Sequence, residues 1–441
     1  MRTFKKNAKY RAAVGLVKRL RGARHEAFLV GGCVRDLLLG RGPKDFDIAT
    51  SARPEQVVKL FRRTVPVGAQ FGVLLVLKGS TPYEVATFRS DLPYKDGRHP
   101  EGVLFSTAKE DALRRDFTVN GLFFDPVKER VIDYVGGEED LKRRLIRAIG
   151  DPVRRFQEDR LRMLRAVRFA ATLDFALDPP TLKAVREAAG EITQVSAERI
   201  REELVKLFTG PRPGTGLNLL DESGLLQVIL PEVVRMQGVH QPPEFHPEGD
   251  VYTHTMILLD HLRNPSAVLA LGALHPDIGK PATFKVAARI RFVGHDRVGA
   301  AMAGRILKRL RFSNAEADSI VELVGNHMRF KDVRQMRLST LKRFMASPTF
   351  PEELKLHRAD CLASHKDLTN WRFLRKKLKE LPVKELRPKP LINGHDLLGL
   401  GYREGPMIGT ILKAVEERQL EGTLTRREAA LEWVAGAFPS R

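Results

Sequence analysis

The sequence predicts an α+β fold, in which a strand-containing domain is followed by a remainder built of helices. Two observations support this class. Short apolar runs of the length expected for buried strands occur within roughly the first 150 residues. Beyond them the apolar residues recur at intervals of three and four, the spacing of helices that pack on one face.

Length, charge and cysteine content limit the possible classes of protein. The chain has 441 residues, too many for one core, and this length predicts roughly two to four domains. Its 75 Lys and Arg against 54 Asp and Glu give a net charge of +21, which favours a polyanionic partner such as nucleic acid. The alternative is that the charge serves solubility alone.

The same composition argues against membrane and disulfide classes. The two cysteines, Cys33 and Cys361, are far apart and form no C-x-x-C, so neither a disulfide framework nor a zinc ribbon is expected. The sequence contains no run of 18 apolar residues, and its basic start lacks the apolar core of a signal peptide. We expect a cytoplasmic protein without a membrane partner, and the sequence does not indicate its oligomeric state.

The first chemically informative stretch is a strand, a glycine pair and a helix. Residues 28–30 predict a short buried strand, and a helix is expected from near Val34 to Gly40. Gly31 and Gly32 lie between them. Because they carry no side chains, a triphosphate can approach the backbone amides at the start of the helix.

Two carboxylates follow this helix in an extended segment. Alternation places Asp45 and Asp47 on one face of a strand and directs Phe46 into the core. Two carboxylates side by side repel each other unless a cation lies between them, and hard oxygen ligands suit Mg²⁺. A D-x-D pair alone is more often a solvated loop, so this prediction depends on the neighbouring motifs.

The elements around these motifs can be placed in order. Residues 10–24 predict an amphipathic helix that precedes the first strand. Residues 54–62 predict a helix that begins with proline and is capped by Ser51 or Thr50. Further strands are expected at residues 71–77, 83–88 and 121–125.

A long helix is predicted from Arg154 to Phe175. On it Asp159, Arg162 and Arg165 are spaced by three and therefore share a face. An aspartate beside an arginine presents acceptors and donors together, so the pair can bond the edge of a nucleic-acid base. The alternative is an ordinary surface ion pair, worth a few tenths of a kcal/mol.

These motifs, in this order, resemble the signature of the class II tRNA nucleotidyltransferase and bacterial poly(A) polymerase family, within the polymerase-β-like nucleotidyltransferases. The resemblance implies a head with a mixed sheet, in which Asp45 and Asp47 hold Mg²⁺ ions. It also implies a third catalytic carboxylate, for which Glu84 is the best match, although Glu84 could instead form a salt bridge at a strand edge. The nucleotide-binding residues implied by the family motifs are Gly31, Gly32, Arg35, Arg115, Asp116, Asn120, Asp159, Arg162, Arg165 and Arg168.

The resemblance also indicates a reaction. It implies transfer of AMP or CMP from ATP or CTP to the 3′ end of tRNA. A polar stretch at residues 89–105 resembles the family's flexible loop, found in members that add the terminal adenosine, so an enzyme adding only cytidines is disfavoured. The sequence leaves open a full CCA-adding enzyme, one adding only the terminal A, a poly(A) polymerase and an RNA-binding protein without activity. The loop motif comprises Arg89, Asp91, Tyr94, Asp96, Arg98 and Pro100.

The region after Gln241 resembles an HD phosphohydrolase domain, but with a departure at its key position. In that superfamily a metal is held by a histidine, an adjacent His-Asp pair and a later aspartate. Here Pro276 takes the place of the paired histidine, between His275 and Asp277. Proline cannot bind metal, and a one-residue shift on a helix turns His275 by about 100°. We therefore expect a degenerate domain, retained for packing or RNA contact, rather than a phosphatase.

The predicted organisation has four parts. These are a catalytic head (residues 1–150), a helical neck and body (151–240), a degenerate HD-like domain (241–370) and a basic helical tail (371–441). Basic residues of the neck and body are candidates for tRNA phosphate contacts, with a solvated helix face as the equal alternative: Lys183, Arg199, Arg201 and Lys206. Recurring polar residues of the HD-like part are His254, His275, Asp277, His295, His327 and Asp360.

Overall fold

The structure is a computed structural model that describes residues 6–68, 71–92, 102–244, 246–286 and 290–439. The chain divides into two compact units, Met1–Val234 and Arg235–Arg441. The finer division into four parts stays a prediction. Among the described residues, no helix is both long and apolar enough to cross a membrane.

A mixed sheet organises the first unit, which confirms the α+β class. In the described residues its seven strands lie in the order β3-β4-β5-β2-β1-β8-β9, and the pair β2–β5 is parallel while the other pairs are antiparallel. The strands of this unit are β1 (Ala27–Val30), β2 (Asp47–Thr50), β3 (Thr64–Gly68), β4 (Val73–Lys78), β5 (Thr81–Thr87), β6 (Arg89–Asp91), β7 (Val103–Phe105), β8 (Phe123–Asp125), β9 (Arg130–Ile132), β10 (Leu145–Ile146) and β11 (Ala176–Leu177).

Helices accompany the strands of the sheet, and after β9 this unit is helical apart from the short strand pair β10–β11. Val119 and Phe123 illustrate the packing, because both are fully buried. The helices of this unit are α1 (Ala8–Gly22), α2 (Gly32–Leu38), α3 (Pro54–Leu60), α4 (Ala108–Leu113), α5 (Gly137–Arg143), α6 (Pro152–Glu158), α7 (Leu161–Leu173), α8 (Pro179–Ala188), α9 (Ala197–Phe208), α10 (Pro213–Glu222), α11 (Leu225–Ile229) and α12 (Pro231–Val234), with 3₁₀ segments at Thr118–Asn120 and Ala189–Gln194.

Aromatic packing anchors the segment that carries Asp45 and Asp47, two of the metal-binding candidates. Phe46 is 2% exposed, as its predicted inward direction requires, and its ring meets that of Tyr10 on α1 edge to face at 5.7 Å between centroids. On the other face of the sheet Phe28 stacks on Phe88, with centroids 6.1 Å apart. The strand β2 is therefore anchored from both sides.

Two predicted boundaries near this strand were wrong. The strand begins at Asp47, so Asp45 precedes it instead of sharing it, and α2 begins at Gly32 and ends at Leu38. The cap of α3 is Arg53, whose amide donates to the side chain of Gln56 at 2.8 Å. Neither predicted capping residue serves that helix, because the hydroxyl groups of Ser51 and Thr50 are bonded to the backbone of Glu26.

The predicted helix over residues 154–175 is also wrong, because it is two helices. The chain is extended at Asp159 (φ −147°, ψ 105°), between the end of α6 and the start of α7. The Asp159 carboxylate accepts a hydrogen bond from the Leu161 amide at 3.1 Å, which starts the new helix. Asp159 therefore does not share a helical face with Arg162.

The second unit is almost entirely helical. Its helices are α13 (Val251–Asp260), α14 (Ala267–Leu274), α15 (Lys280–Thr283), α16 (His295–Arg309), α17 (Asn314–Asn326), α18 (Leu338–Met345), α19 (Phe350–Ala363), α20 (Thr369–Glu380), α21 (Val383–Leu386), α22 (Gly394–Gly399), α23 (Pro406–Glu421) and α24 (Arg427–Ala437), with a 3₁₀ segment at His327–Asp332 and two short paired strands, β12 (Lys285–Val286) and β13 (Ile290–Arg291).

Candidate active site

One cavity of the first unit, about 1040 Å³ in volume, is lined by all the residues predicted for the site. They come from β2, β5, α2, α7 and the segments between these elements, and their motifs extend along the chain from Gly31 to Arg168. The structure thus brings together Gly31, Gly32, Arg35, Asp45, Asp47, Glu84, Arg115, Asp116, Asn120, Asp159, Arg162, Arg165 and Arg168.

Three carboxylates meet at this cavity because of the strand register. On the parallel pair β2–β5, Ile48 lies opposite Val85, so the same register places Asp47 beside Glu84. Burial and the like charges of Glu84 and Asp45 raise the pKa of Asp47 to about 7. The positive charge of Arg115 opposes this shift only in part. Oxygen donors gathered in this way fit a divalent metal ion.

The glycine turn brings backbone close to an arginine. Gly31 has φ +73°, a conformation that side chains rarely adopt, and a Cβ atom there would lie 3.0 Å from Nη1 of Arg115. Gly32 begins α2, whose first amides have no partner within the helix and can receive an anion. This geometry supports the triphosphate prediction for the two glycines.

Hydrogen bonds link the site residues from one helix to another. Arg35 donates to the Asn120 side chain at 2.7 Å, and Asn120 donates to Asp116 at 3.1 Å. Arg165 donates to the other oxygen of Asp116 at 2.6 and 3.0 Å. Burial disfavours the charged form of Asp116, but Arg165 and Asn120 outweigh it and lower the pKa of Asp116 to about 2. Asp116 thus remains an ionised acceptor that orients Asn120 and Arg165.

Arg115 is oriented by a carboxylate that sequence reasoning missed. Asp111, 1% exposed, accepts from Arg115 at 3.0 Å and from Arg114 at 2.7 Å. The two arginines lower the pKa of Asp111 although its burial opposes this. Because Asp111 lies on α4, the helix fixes the direction in which Arg115 enters the cavity.

The two residues predicted to select the base are each held by another partner. Asp159 accepts from Arg199 of α9 at 2.8 Å, and Arg162 donates to Glu158 at 2.5 Å. Arg162 also donates to the carbonyl of Arg114 at 3.3 Å. A base that bonds to Asp159 and Arg162 must therefore share or replace these ion pairs.

Glu203 is a second residue that sequence reasoning missed. It is 2% exposed and accepts from Arg168 at 2.5 Å and from Lys206 at 3.1 Å, while Arg165 lies 4.0 Å away. The signal was its position three residues after Ile200, on the apolar face of an amphipathic helix. A carboxylate there must be paired when buried. Lys206, one of the residues predicted to contact tRNA phosphates, is thus also an ion-pair partner of this carboxylate.

The predicted flexible loop is described only in part. Arg89 and Asp91 belong to β6 and lie 3.2 Å apart as an ion pair. The other four loop positions lie outside the described residues: Tyr94, Asp96, Arg98 and Pro100.

Fold and site together define a nucleotidyltransferase head, and comparison with known proteins is consistent with that class. The family model of the poly A polymerase head domain matches residues 27–147. A model named "Probable RNA and SrmB- binding site of polymerase A" matches residues 174–236, and tRNA nucleotidyltransferase domain 2 matches residues 295–435.

Individual relatives narrow the class to a family. The CCA-adding enzyme of Lactobacillus johnsonii is 32% identical over 432 residues, 96% of each chain. That of Geobacillus kaustophilus is 45% identical over 217 residues, a match spanning 49% of this chain and only 54% of the relative. The chain belongs to the family of tRNA nucleotidyltransferases that includes the CCA-adding enzymes and bacterial poly(A) polymerases.

Solved structures show the same architecture. The Bacillus stearothermophilus CCA-adding enzyme in complex with CTP has a TM-score of 0.75 and 28% identity, with 98% of both chains covered. The Thermotoga maritima CCA-adding enzyme complexed with tRNA has a TM-score of 0.60 and 21% identity, a likeness of fold alone, over 97% of this chain and 95% of that one.

Proposed function

We propose that this protein adds the 3′-terminal CCA to tRNA from CTP and ATP without a nucleic-acid template, and releases pyrophosphate. The observation that carries the proposal is the convergence of separate sequence motifs on one cavity of the first unit. The relatives named CCA-adding enzymes, one of them solved with CTP and another with tRNA, support these substrates. Such a reaction places the protein in the cytoplasm, where tRNA and nucleoside triphosphates occur.

Mg²⁺ is the metal we infer for the carboxylate group. Asp45 and Asp47, with Glu84 beside them, would hold it, since Mg²⁺ prefers carboxylates together with phosphate oxygens. When bound, the metal neutralises charge on the triphosphate and lowers the pKa of the attacking 3′-hydroxyl.

The other residues of the cavity bind and orient the nucleotide. The amides at the start of α2 and the guanidinium groups of Arg115, Arg165 and Arg168 neutralise the phosphates. Asn120, fixed between Arg35 and Asp116, presents its amide to the ribose, where a 2′-hydroxyl requires both a donor and an acceptor.

Asp159 and Arg162 select the base in this proposal. Their ion pairs with Arg199 and Glu158 hold both side chains at the cavity. Because an aspartate accepts and an arginine donates, the pair offers an edge to which cytosine and adenine can each bond. Selection then comes from protein side chains alone, without a template.

The experiment is single-nucleotide extension of three tRNA transcripts that lack CCA, CA or A. Each is incubated with ATP, CTP or both, beside an unstructured RNA. Addition of three residues to the shortest tRNA is the expected result. Addition of one A only to the tRNA ending in CC would indicate an A-adding enzyme, and long A-tails on the unstructured RNA a poly(A) polymerase. No incorporation on any RNA would refute the proposal.

Matched variants test the role of the carboxylates. Asp45→Asn and Asp47→Asn keep the size of each side chain and remove its charge, so extension should fall by several orders of magnitude. Glu55→Gln changes an exposed carboxylate on the following helix and should leave extension unchanged. Equal activity in all three variants would remove the metal site from the mechanism.

A further inference from the structure

Another cavity, of about 980 Å³, lies wholly within the second unit and shares no residue with the candidate active site. Two helices supply much of its wall. On each of them lining residues recur at intervals of three and four, so one face of the helix is turned to the cavity. On α19 they include Pro351, Leu354, Lys355 and Arg358, and on α20 they are Trp371, Arg375, Leu378 and Lys379.

The floor of this cavity is apolar and closely packed. Met345, Phe350 and Leu354 line it and belong to a buried cluster, in which each of the three is at most 6% exposed. Trp371 and Leu386 pack against the same cluster. A ligand with an apolar surface is stabilised when it covers such a floor and removes it from water. The volume and the lining of the cavity are those of a small-molecule site.

The charge of the wall has one sign. Among the described residues that line the cavity, every charged side chain is basic. The candidate active site differs, because carboxylates and arginines line it together. The cavity of the second unit can therefore bind an anion without a metal ion. Its basic residues are Arg263, Lys355, Arg358, Arg375, Lys379 and Arg387.

Most of these cations are not neutralised within the protein. Lys355 pairs with Glu352 at 3.2 Å. Glu380, the one acidic residue of α20, is bound instead by Lys376 at 3.7 Å and Lys377 at 2.9 Å, neither of which lines the cavity. Four cations of the wall have no ion-pair partner among the described residues, namely Arg263, Arg358, Arg375 and Lys379.

Trp371 orients two of these four cations. The Cζ atom of Arg375 lies 5.3 Å from the centroid of the Trp371 ring, and that of Arg358 lies 5.8 Å from it. A guanidinium group within about 6 Å of an aromatic ring is attracted to the ring. This contact positions the two groups but leaves their charge in place. Guanidinium groups bind phosphate through paired hydrogen bonds, and their planes also stack on bases.

The wall and the floor together select the chemistry of a ligand. A small inorganic anion would leave the apolar floor in contact with water, and an uncharged apolar ligand would leave the four cations unpaired. A nucleoside phosphate satisfies both requirements, because its planar base covers apolar surface and its phosphates bind cations. Stacking of a base on an aromatic side chain tolerates every base, so ATP and CTP should both fit.

We propose that this cavity binds a free nucleoside phosphate, independently of the candidate active site. The base lies against the apolar floor and Trp371, and the phosphates bind Arg358, Arg375 and Lys379. Because basic side chains alone neutralise the phosphates, binding here requires no Mg²⁺. The proposal does not depend on CCA addition, so either of the two can fail without the other.

The test uses the full chain with Trp433→Phe, ATP as the probe, and EDTA to remove Mg²⁺. The chain has two tryptophans, so Trp371 is then the only one, and a base that stacks on it quenches its emission. We expect saturable quenching, with an affinity for ATP lowered about 10- to 100-fold by Arg358→Ala or Arg375→Ala. Arg403→Ala, at an exposed arginine outside the cavity, should leave the affinity unchanged.

Three results would overturn the proposal. Inorganic triphosphate that binds as tightly as ATP would show a basic surface with no place for a base. Quenching by tRNA but not by ATP would make the cavity an RNA contact. Loss of the ATP signal in Asp45→Asn with Asp47→Asn would assign the bound nucleotide to the first unit.

Two further measurements guard against arginine variants that fold poorly. Leu378 is 37% exposed, so Leu378→Glu should fold, and its new carboxylate should repel the phosphates and abolish quenching. Photo-crosslinking of the wild type with 8-azido-ATP in EDTA needs no variant, and the label should lie within residues 345–387. A label confined to residues 1–234 would refute the proposal.

Discussion

Glu203 offers the sharpest test of how the nucleotide site is assembled. Its carboxylate is 2% exposed and binds Arg168 at 2.5 Å, with Arg165 at 4.0 Å. In Glu203→Ala the two guanidinium groups lose their shared counter-charge and repel each other. Removing one partner of a buried ion pair costs about 3–5 kcal/mol. For a unit of this size each kcal/mol shifts Tm by about 2–4 °C, so the first unit should melt roughly 6–20 °C lower.

Ligand binding should reverse part of this loss. In this variant Arg168 has lost its partner, whereas Arg165 keeps Asp116. A triphosphate supplies negative charge beside Arg168, so ATP should raise the Tm of Glu203→Ala more than that of the wild type. Glu203→Gln keeps an acceptor for Arg168 and should lose less, about 1.5–3 kcal/mol. Glu202→Ala, at an exposed position of the same helix, serves as the control.

The assay can separate the two units. Both tryptophans, Trp371 and Trp433, lie in residues 235–441, so their emission reports the second unit, whereas far-UV circular dichroism reports both. The circular dichroism transition should shift in Glu203→Ala while the tryptophan transition stays in place. A variant that melts within 2 °C of the wild type by both signals, or gains no extra stability from ATP, would refute this reasoning.

Three further predictions follow from the same cavity. Gly31→Ala places a side chain on a residue whose backbone has φ +73°, so it should lower the free energy of unfolding by about 1–3 kcal/mol and weaken ATP binding measured by calorimetry. The control is Gly15→Ala, in open space on α1, which should stabilise the protein by about 0.5–1 kcal/mol. Arg199→Ala removes the ion pair that holds Asp159, so discrimination against GTP and UTP should fall about 10- to 100-fold in single-turnover extension. Burial and like charges raise the pKa of Asp47 to about 7, so at lower pH Mg²⁺ must displace a proton from this carboxyl group. The measured affinity of the protein for Mg²⁺ should therefore rise between pH 6 and 8. An affinity that does not change with pH would contradict this prediction.

Local pattern was enough to find the head and most of its candidate site. The glycine pair, Asp45, Asp47 and the buried Phe46 are signals that lie close together in the sequence, and strand alternation and turn chemistry act over that range. The position of Glu84 beside Asp47 depends on the parallel register of β2 and β5. No local sequence pattern contains that register.

The sequence by itself determined the composition of the catalytic motifs and their order along the chain. Tertiary packing decided the partners of these residues. Asp159 lies between two helices and binds Arg199, 40 residues further along the chain, and Glu203 of α9 binds Arg168 of α7. In the second unit packing also turns His275 away and brings His295 to Asp277. Ion pairs and ligand clusters depend on which faces are buried together, and long-range packing of the whole unit fixes that choice.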